Sequence, residues 1–483
     1  MQVMELNKIK KIYMIGVKGA GMTMLAQFFA ENGVEVIGSD TDEKFMTDEA
    51  LKKSKVRVIE KFDAKNIPND VDFIVYSTSY NAKNNVEVKA ALAGKTKVFT
   101  YAQALGEVFN RKYGIAVIGS HGKTTTTAWL GFVAREAGIN PNVMVGATVP
   151  QFGGAALISP SDYLVIEADE YQNKLKNFNP KGVILNNIDY DHPDFFKNEK
   201  EYIDIFIEFI KKIPKKGFLI ANYDDPIIRK IAQVNCVGKI ITYAINEAAD
   251  YVAYDIKYHN GRQYFKVKLG VDDDSITEFG SADEQGLGDF SIGLIGKHNI
   301  SNALAVIAAC VELGVELVDI RKYLPEFTGA ARRMEVMGEF NGATVIDDYA
   351  HHPTEIKVTL AGARAVFQDR KIKVVFHPHT FTRTKALLDD FAESFGDADE
   401  VVVLDIYGSA REERGGVSSR DLVAKIKTQK LIPRSDAGSK LKAVYIPTLK
   451  ECEEYLRENV KRGDVVILMG AGDVFRIGEN LVK

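Results

Sequence analysis

Gly119-Ser120-His121-Gly122-Lys123-Thr124 gathers two glycines, a lysine and a hydroxyl between the apolar run Gly114–Ile118 and a helical stretch, Thr125–Ala137. Glycines let backbone N–H groups face a phosphate. A lysine at this point reaches the terminal phosphate, and a threonine hydroxyl joins a Mg²⁺ shell. The strict GxxxxGK(S/T) spacing is not met, because position 117 is Val. The chemistry expected is binding of a nucleoside triphosphate by a variant phosphate loop.

Mg²⁺ held against phosphates takes hard oxygen ligands, usually one or two carboxylates. Glu167-Ala168-Asp169-Glu170 follows the apolar strand Tyr163–Ile166, which puts Glu167 at a strand's C-terminal end, where α/β proteins build their sites. His192, in Asp191-His192-Pro193-Asp194, comes one strand later. Alone, the acidic run reads as a solvated turn and the histidine as structural. Placed after successive strands beside a phosphate loop, both become site candidates.

Gly16-x-x-Gly19-x-Gly21, with Asp40 closing the next strand, has the turn that holds a pyrophosphate against a helix N-terminus, although it is not GxGxxG. Arg332-Arg333 follows a Gly-Ala-Ala turn, and paired arginines suit triphosphate oxygens. Asp347-Asp348-Tyr349-Ala350-His351-His352-Pro353 ends one strand, and His377-Pro378-His379-Thr380-Phe381-Thr382-Arg383-Thr384 ends another. Four of the eight histidines thus stand at two equivalent strand ends.

The elements that must position these groups alternate. Strands at Lys11–Val17, Val34–Asp40, Val71–Ser77 and Lys97–Tyr101, with a helix over Met22–Asn32, read as a parallel, doubly wound sheet. A second βα series runs from Gly114–Ile118 through Asp162–Ile166 and Gly182–Leu185 to a helix over Asn299–Leu313. Its more polar part, about 245–290, reads as hairpins and a surface loop carrying the acidic run Asp272–Asp274. A third series has strands at Ala343–Asp347, Lys373–Phe376, Glu400–Leu404 and Asp464–Met469, with a helix over Lys385–Phe395. The chain of 483 residues exceeds one ordinary core, and the division expected is 1–108, 109–327 and 328–483.

Composition narrows the function classes. With 46% apolar and 27% charged residues and a net charge of −4, there is no general polyanion-binding surface, so no nucleic-acid partner is expected and phosphates need a local site. The three cysteines, Cys236, Cys310 and Cys452, lie far apart and read as reduced thiols. The N-terminal apolar run is too short for a signal segment, and no stretch approaches the roughly 20 apolar residues of a membrane span, so a cytoplasmic protein is expected.

The ordered set GVKGAGM, GSHGKTTTT, EADE, NNIDYDH, GKHNISNALA, GAARRMEVMG, DDYAHHPTEI and PHTFTRT, spanning residue 16 to about 416, resembles the Mur ligases of peptidoglycan synthesis. The resemblance implies three α/β domains: an N-terminal Rossmann-like one for a UDP-sugar, a central ATPase and a C-terminal one for the amino acid. It implies ATP as substrate and two Mg²⁺ ions, held by Thr124, Glu167 and His192. Gly119, Ser120, His121, Gly122, Lys123, Thr124, Thr125, His298, Asn299, Asn302, Arg333 and Asp348 would contact ATP. Gly16, Gly19, Gly21, Met22, Asp40 and Ser77 would contact the UDP-sugar, and Tyr349, His379 and Arg383 the acceptor. Lys123, Glu167, His192, Arg333 and His379 would carry catalysis.

Relatives that add later stem-peptide residues carry a modified lysine some fourteen residues past the matching histidine. Here that region reads Tyr202-Ile203-Asp204-Ile205-Phe206, which favours the alanine-adding branch acting on UDP-N-acetylmuramate, with the tripeptide-recycling branch as the alternative. Tyr171–Leu175 and Thr380 depart from the common pattern, and both lie near the expected acyl or amine substrate. The mechanism implied is phosphorylation of a carboxylate by ATP and capture of the acyl-phosphate by an amine, in a site that closes between domains.

Overall fold

The computed structural model describes residues 8–45, 47–259, 261–270, 286–408, 415–428 and 441–483; the acidic run Asp272–Asp274 and the first seven residues lie outside them. Three sheets organise the described residues. The first runs β3-β2-β1-β4-β5, from β1 (Lys11–Ile15), β2 (Glu35–Ser39), β3 (Arg57–Ile59), β4 (Phe73–Tyr76) and β5 (Lys97–Thr100), all parallel.

The central sheet has ten strands: β6 (Tyr113–Ile118), β7 (Asn142–Val149), β8 (Gly154–Leu157), β9 (Tyr163–Glu167), β10 (Gly182–Leu185), β11 (Phe218–Asn222), β12 (Lys239–Ala244), β13 (Tyr251–His259), β14 (Arg262–Leu269) and β15 (Gly286–Ile292). Its order is β15-β14-β13-β12-β11-β10-β6-β9-β7-β8. The middle is parallel and the ends are antiparallel hairpins, β13–β14–β15 and β7–β8. β10 and β11 are buried along their whole length, as strands covered on both faces must be. The third sheet, β16 (Glu335–Phe340), β17 (Ala343–Asp348), β18 (Ile372–Phe376), β19 (Glu400–Val403), β20 (Lys442–Tyr445) and β21 (Val465–Met469), runs β16-β17-β21-β18-β19-β20 and is antiparallel only at β16–β17.

The helix expected over Lys385–Phe395 is instead two short ones, Phe381–Ala386 and Leu388–Ala392. The Thr380 hydroxyl accepts the Arg383 N–H and so starts the first helix four residues early. At Leu387 the chain leaves helical geometry (φ −112, ψ 26).

The three units are joined in two different ways. One apolar cluster is continuous from the first sheet into the central one, from Ile12 and Phe29 to Leu164 and Phe206. The third sheet keeps its own two cores. It meets the central unit through polar contacts described below, and such a joint separates at lower cost than an apolar one.

Glu400, at the start of β19, is buried and accepts from Lys373 Nζ at 2.7 Å and Lys442 Nζ at 2.8 Å. Burial raises its pKa, but the two ammonium groups and the Tyr455 hydroxyl overcome this and hold it at about 2, against an ordinary 4.5. The folded pKa is the lower one, so this stability is present above pH 4.5 and lost as the pH falls towards 2. Glu400→Gln is expected to cost on the order of 2 kcal/mol at pH 7 and much less at pH 3. Urea melts of both proteins at the two pH values check this; an equal loss at both would refute it.

Candidate active site

β6 delivers the chain to Gly119, whose φ of 127° suits glycine alone. A Cβ there would stand 2.8 Å from the Asn187 carbonyl oxygen, and one on Gly122 (φ 79°) would stand 2.7 Å from Asn302 Oδ1. The loop is pinned from the segment after β10: Ser120 N–H donates to the Asn187 carbonyl (3.1 Å) and His121 N–H to Asn187 Oδ1 (2.8 Å). The Ser120 hydroxyl points the same way, donating to the Asp189 carbonyl at 2.7 Å. Lys123 begins the helix Lys123–Glu136, and its ammonium donates to Gly119 O, to Ser120 O (3.0 Å) and to Glu170 Oε2 (3.2 Å). Burial lowers its pKa, but the carboxylates of Glu170, Asp169 and Glu167 more than offset this and keep it cationic.

Glu167 ends β9 as expected. Its Oε1 accepts the Thr124 hydroxyl at 2.8 Å and its Oε2 accepts the Gly146 N–H at 2.7 Å. Asp169, Glu170 and His192 each bring one ligand atom to within 4.8 Å of the others. Carboxylate and hydroxyl oxygens with one imidazole, grouped round a buried ammonium, suit a hard divalent cation beside phosphates. Thr124 and Glu167 would hold such an ion at the ATP, and His192, grouped with Asp169 and Glu170, would serve another. Glu167→Gln keeps the contact with Thr124 but removes the charge. Its midpoint for Mg²⁺ activation is expected to rise more than about tenfold; an unchanged Mg²⁺ titration would remove Glu167 from the metal site.

Two cavities meet at the loop. The smaller, about 370 Å³, is lined by Gly21 and Tyr101 from the first unit, by Lys123, Glu167, Asp169, Lys174 and His192 from the central one, and by Arg333, Tyr349 and His351 from the third. The larger, about 690 Å³, is lined by Thr125, His298, Asn299, Asn302 and Asp348. His298 is half-buried and its pKa is pushed down to about 4, by loss of hydration first and then by Arg333, so its ring there is neutral. The Asp348 carboxylate accepts the N–H groups of Met334 (2.8 Å) and Ala350 (2.9 Å), which tie the start of β16 to the end of β17.

Not every expected residue reaches these cavities. Gly16, Gly19, Asp40 and Ser77 gather at the strand ends of the first sheet, where the Asp40 carboxylate accepts the turn's own Lys18 N–H at 2.7 Å. A Cβ on Gly16 would meet the Tyr80 ring at 2.7 Å. The Met22 side chain lies in the apolar cluster. His379 and Arg383 line neither cavity. Arg383 is instead buried against Asp191, with Nε 2.9 Å from Oδ1 and a second nitrogen 3.2 Å from Oδ2, joining the third unit to the central one.

Sequence reasoning passed over Asn187, Asp189, Glu355 and Lys174. The first three stand inside quoted motifs, and Lys174, paired with Asp169, stands inside the flagged segment Tyr171–Leu175; none had been given a role. Left-handed backbone at non-glycine residues includes His192, which lines the smaller cavity, Met334, which lines the larger, and Gln172, Asn173, Arg332 and Thr380. Each costs on the order of 1–3 kcal/mol and persists only where surroundings impose it.

The described helices include none long and apolar enough to cross a membrane. Three family models match in chain order: "Mur ligase family, catalytic domain" over residues 11–113, "Mur ligase middle domain" over 117–310, and "Mur ligase, glutamate ligase domain" over 332–472. The UDP-N-acetylmuramate–L-alanine ligase of Desulfitobacterium hafniense is 40% identical over 98% of this chain and 99% of its own. That of Alkaliphilus metalliredigens is 37% identical over 99% and 98%. Among solved structures, UDP-N-acetylmuramate–alanine ligase from Thermotoga maritima superposes with a TM-score of 0.77 at 25% identity, covering 98% of both chains. A murein peptide ligase from Psychrobacter arcticus, at 24% identity and a TM-score of 0.69, shares the fold.

Proposed function

The chain belongs to the Mur ligase family, and from that membership we propose that it joins L-alanine to the lactyl carboxylate of UDP-N-acetylmuramate at the expense of ATP, in the cytoplasm. The observation that carries the reading is the smaller cavity, where groups from all three units face one space beside Lys123. The near-full-length likeness to two L-alanine ligases supports the amine.

A carboxylate does not react with an amine at neutral pH, because its leaving group would be oxide. One lactyl oxygen therefore attacks the γ-phosphorus of ATP, the bond to the β–γ bridging oxygen breaks, and ADP leaves. The amine then adds to the acyl carbon and gives up a proton, and the C–O bond to phosphate breaks. Three anionic or charged partners must approach, so the chain's work is charge neutralisation, alignment and exclusion of water. Lys123 and Arg333 supply fixed positive charge. Tyr349 and His351 wall the side open to the third unit. Magnesium held at Thr124, Glu167 and His192 would add Lewis-acid polarisation of the phosphoryl oxygens.

The test is mass detection of the product formed from UDP-N-acetylmuramate, ATP and a mixture of the twenty amino acids. The L-alanyl product is expected. Turnover with a stem tripeptide and none with L-alanine, serine or glycine would move the chain to the recycling branch.

A further inference from the structure

His121 was expected at the ATP phosphates, yet its ring turns to the third unit. Its Nε2 lies 2.9 Å from Asp189 Oδ2 and its Nδ1 lies 3.3 Å from Glu355 Oε1. Both partners are carboxylates that only accept, so a ring serving both carries a proton on each nitrogen. In agreement, its pKa is raised to about 9: burial lowers it, and hydrogen bonds to Asp189 and then Glu355 outweigh that.

Glu355 belongs to the third unit's helix Pro353–Val366, and Asp189, which follows β10 in the central unit, reaches the same helix. Asp189 Oδ2 accepts the Thr354 hydroxyl at 2.6 Å, and Glu355 Oε2 accepts the N–H groups of His351 (3.0 Å) and His352 (3.2 Å) in that helix's N-terminal turn. The His352 ring packs at 4.9 Å from that of His121. On the other side, Asn187 holds the His121 backbone N–H. The ring is thus a strut between a fixed loop and the first turn of a helix in a unit that keeps separate cores.

The strut stands at a particular place. His121, Gly122, Arg333 and Glu355 line both cavities and form the wall between them. A triphosphate with its base in the larger cavity and its last phosphate at Lys123 must pass along this wall. Arg333 lies 3.9 Å from Glu355 Oε1, so the seating of Glu355 sets how far Arg333 stands from the phosphates.

We propose that His121 is a positioning residue: held between Asp189 and Glu355, it latches the third unit onto the phosphate loop and sets Arg333 against the triphosphate. Its contribution is to assembly of the closed site. Affinity for ATP comes from the loop backbone and Lys123. This inference rests on the ligase reading, but product formation by the unaltered protein tests that reading separately; the latch is judged only from ratios between variants and parent with the same amine.

The experiment measures kcat, KM for ATP, thermal unfolding and the radius of gyration with ADP and UDP-N-acetylmuramate, for His121→Ala, Glu355→Gln, the double variant and Thr354→Val. In each single variant at positions 121 and 355, kcat should fall roughly ten- to a hundredfold, with KM for ATP within about threefold of the parent. The double variant should be no more than about threefold below the worse single, because one joint is broken once. Nucleotide-induced compaction should be lost in all three. Thr354→Val, which keeps the ring and both carboxylates, should show the same signature more weakly. A raised KM with kcat unchanged would make His121 a direct phosphate ligand and overturn the latch. So would effects that multiply in the double variant, or compaction equal to the parent's. If His121→Ala does not fold, Glu355→Gln and Thr354→Val decide the matter by the same readouts.

Discussion

Lys123→Ala is expected to lower kcat/KM for ATP-dependent product formation by at least about a thousandfold. A single preorganised donor in a water-poor site is worth roughly 10²–10³ in rate, and a full charge facing a transferring phosphoryl group exceeds that. The ammonium sits where both loop carbonyls, Gly119 O and Ser120 O, and Glu170 converge, so no neighbouring lysine can take its place without moving the loop. Lys174 lines the same cavity but is engaged by Asp169. The substitution also leaves Glu170, 1% exposed, without its cation. Removing one partner of a buried pair costs about 3–5 kcal/mol, which the carboxyl reduces by taking up a proton. Lys123→Ala combined with Glu170→Gln should therefore recover thermal stability and no activity. Product formation within tenfold of the parent in a folded Lys123→Ala protein would show that the loop lysine does not serve the phosphates.

The second large effect is expected at Arg383→Ala. Asp191 and Arg383 are both buried, and the pair crosses between the central and third units. Burial would raise the Asp191 pKa, but Arg383 above all, and then His192, His352 and His351, hold it well below the usual carboxylate range. With the guanidinium gone, the closed arrangement would bury an unpaired carboxylate at a cost of about 3–5 kcal/mol. Opening the polar joint avoids that cost, so the penalty should surface as a population shift. A bias of 3 kcal/mol is on the order of a hundredfold, and kcat/KM should fall by about 10²–10³ with a larger radius of gyration. Asp191→Ala in the same chain should restore closure and part of the rate. A selective rise in KM for the amine, unrelieved by Asp191→Ala, would instead place Arg383 at the acceptor.

The Mur family, expected from eight ordered motifs, is the family the comparisons give, and the parallel-dominated α/β architecture follows with it. Both were legible for local reasons. Runs such as Gly182–Leu185 are short, apolar and bounded by polar residues, a pattern that only a doubly covered strand explains. The failure at Lys385–Phe395 was local as well: the start of that helix depended on Thr380, a β-branched residue at φ 68° that sequence reasoning does not place in such a conformation.

By itself, the sequence determined the groups whose geometry is set within a few residues. Gly119 and Gly122 with Lys123 mark the loop because positive-φ turns call for glycine and the helix that follows is set locally, whereas the contacts from Asn187 that pin the loop and the β6–β9 pairing that brings Glu167 to it are tertiary. Only the tertiary structure decided which way the remaining side chains turn. Arg383 meets Asp191 across 192 positions and His121 meets Glu355 of the third unit, and spacing along the chain carries no information on such contacts. They depend on how two units with separate cores lie against each other. There, burial forces every charge to find a partner whatever its distance in sequence.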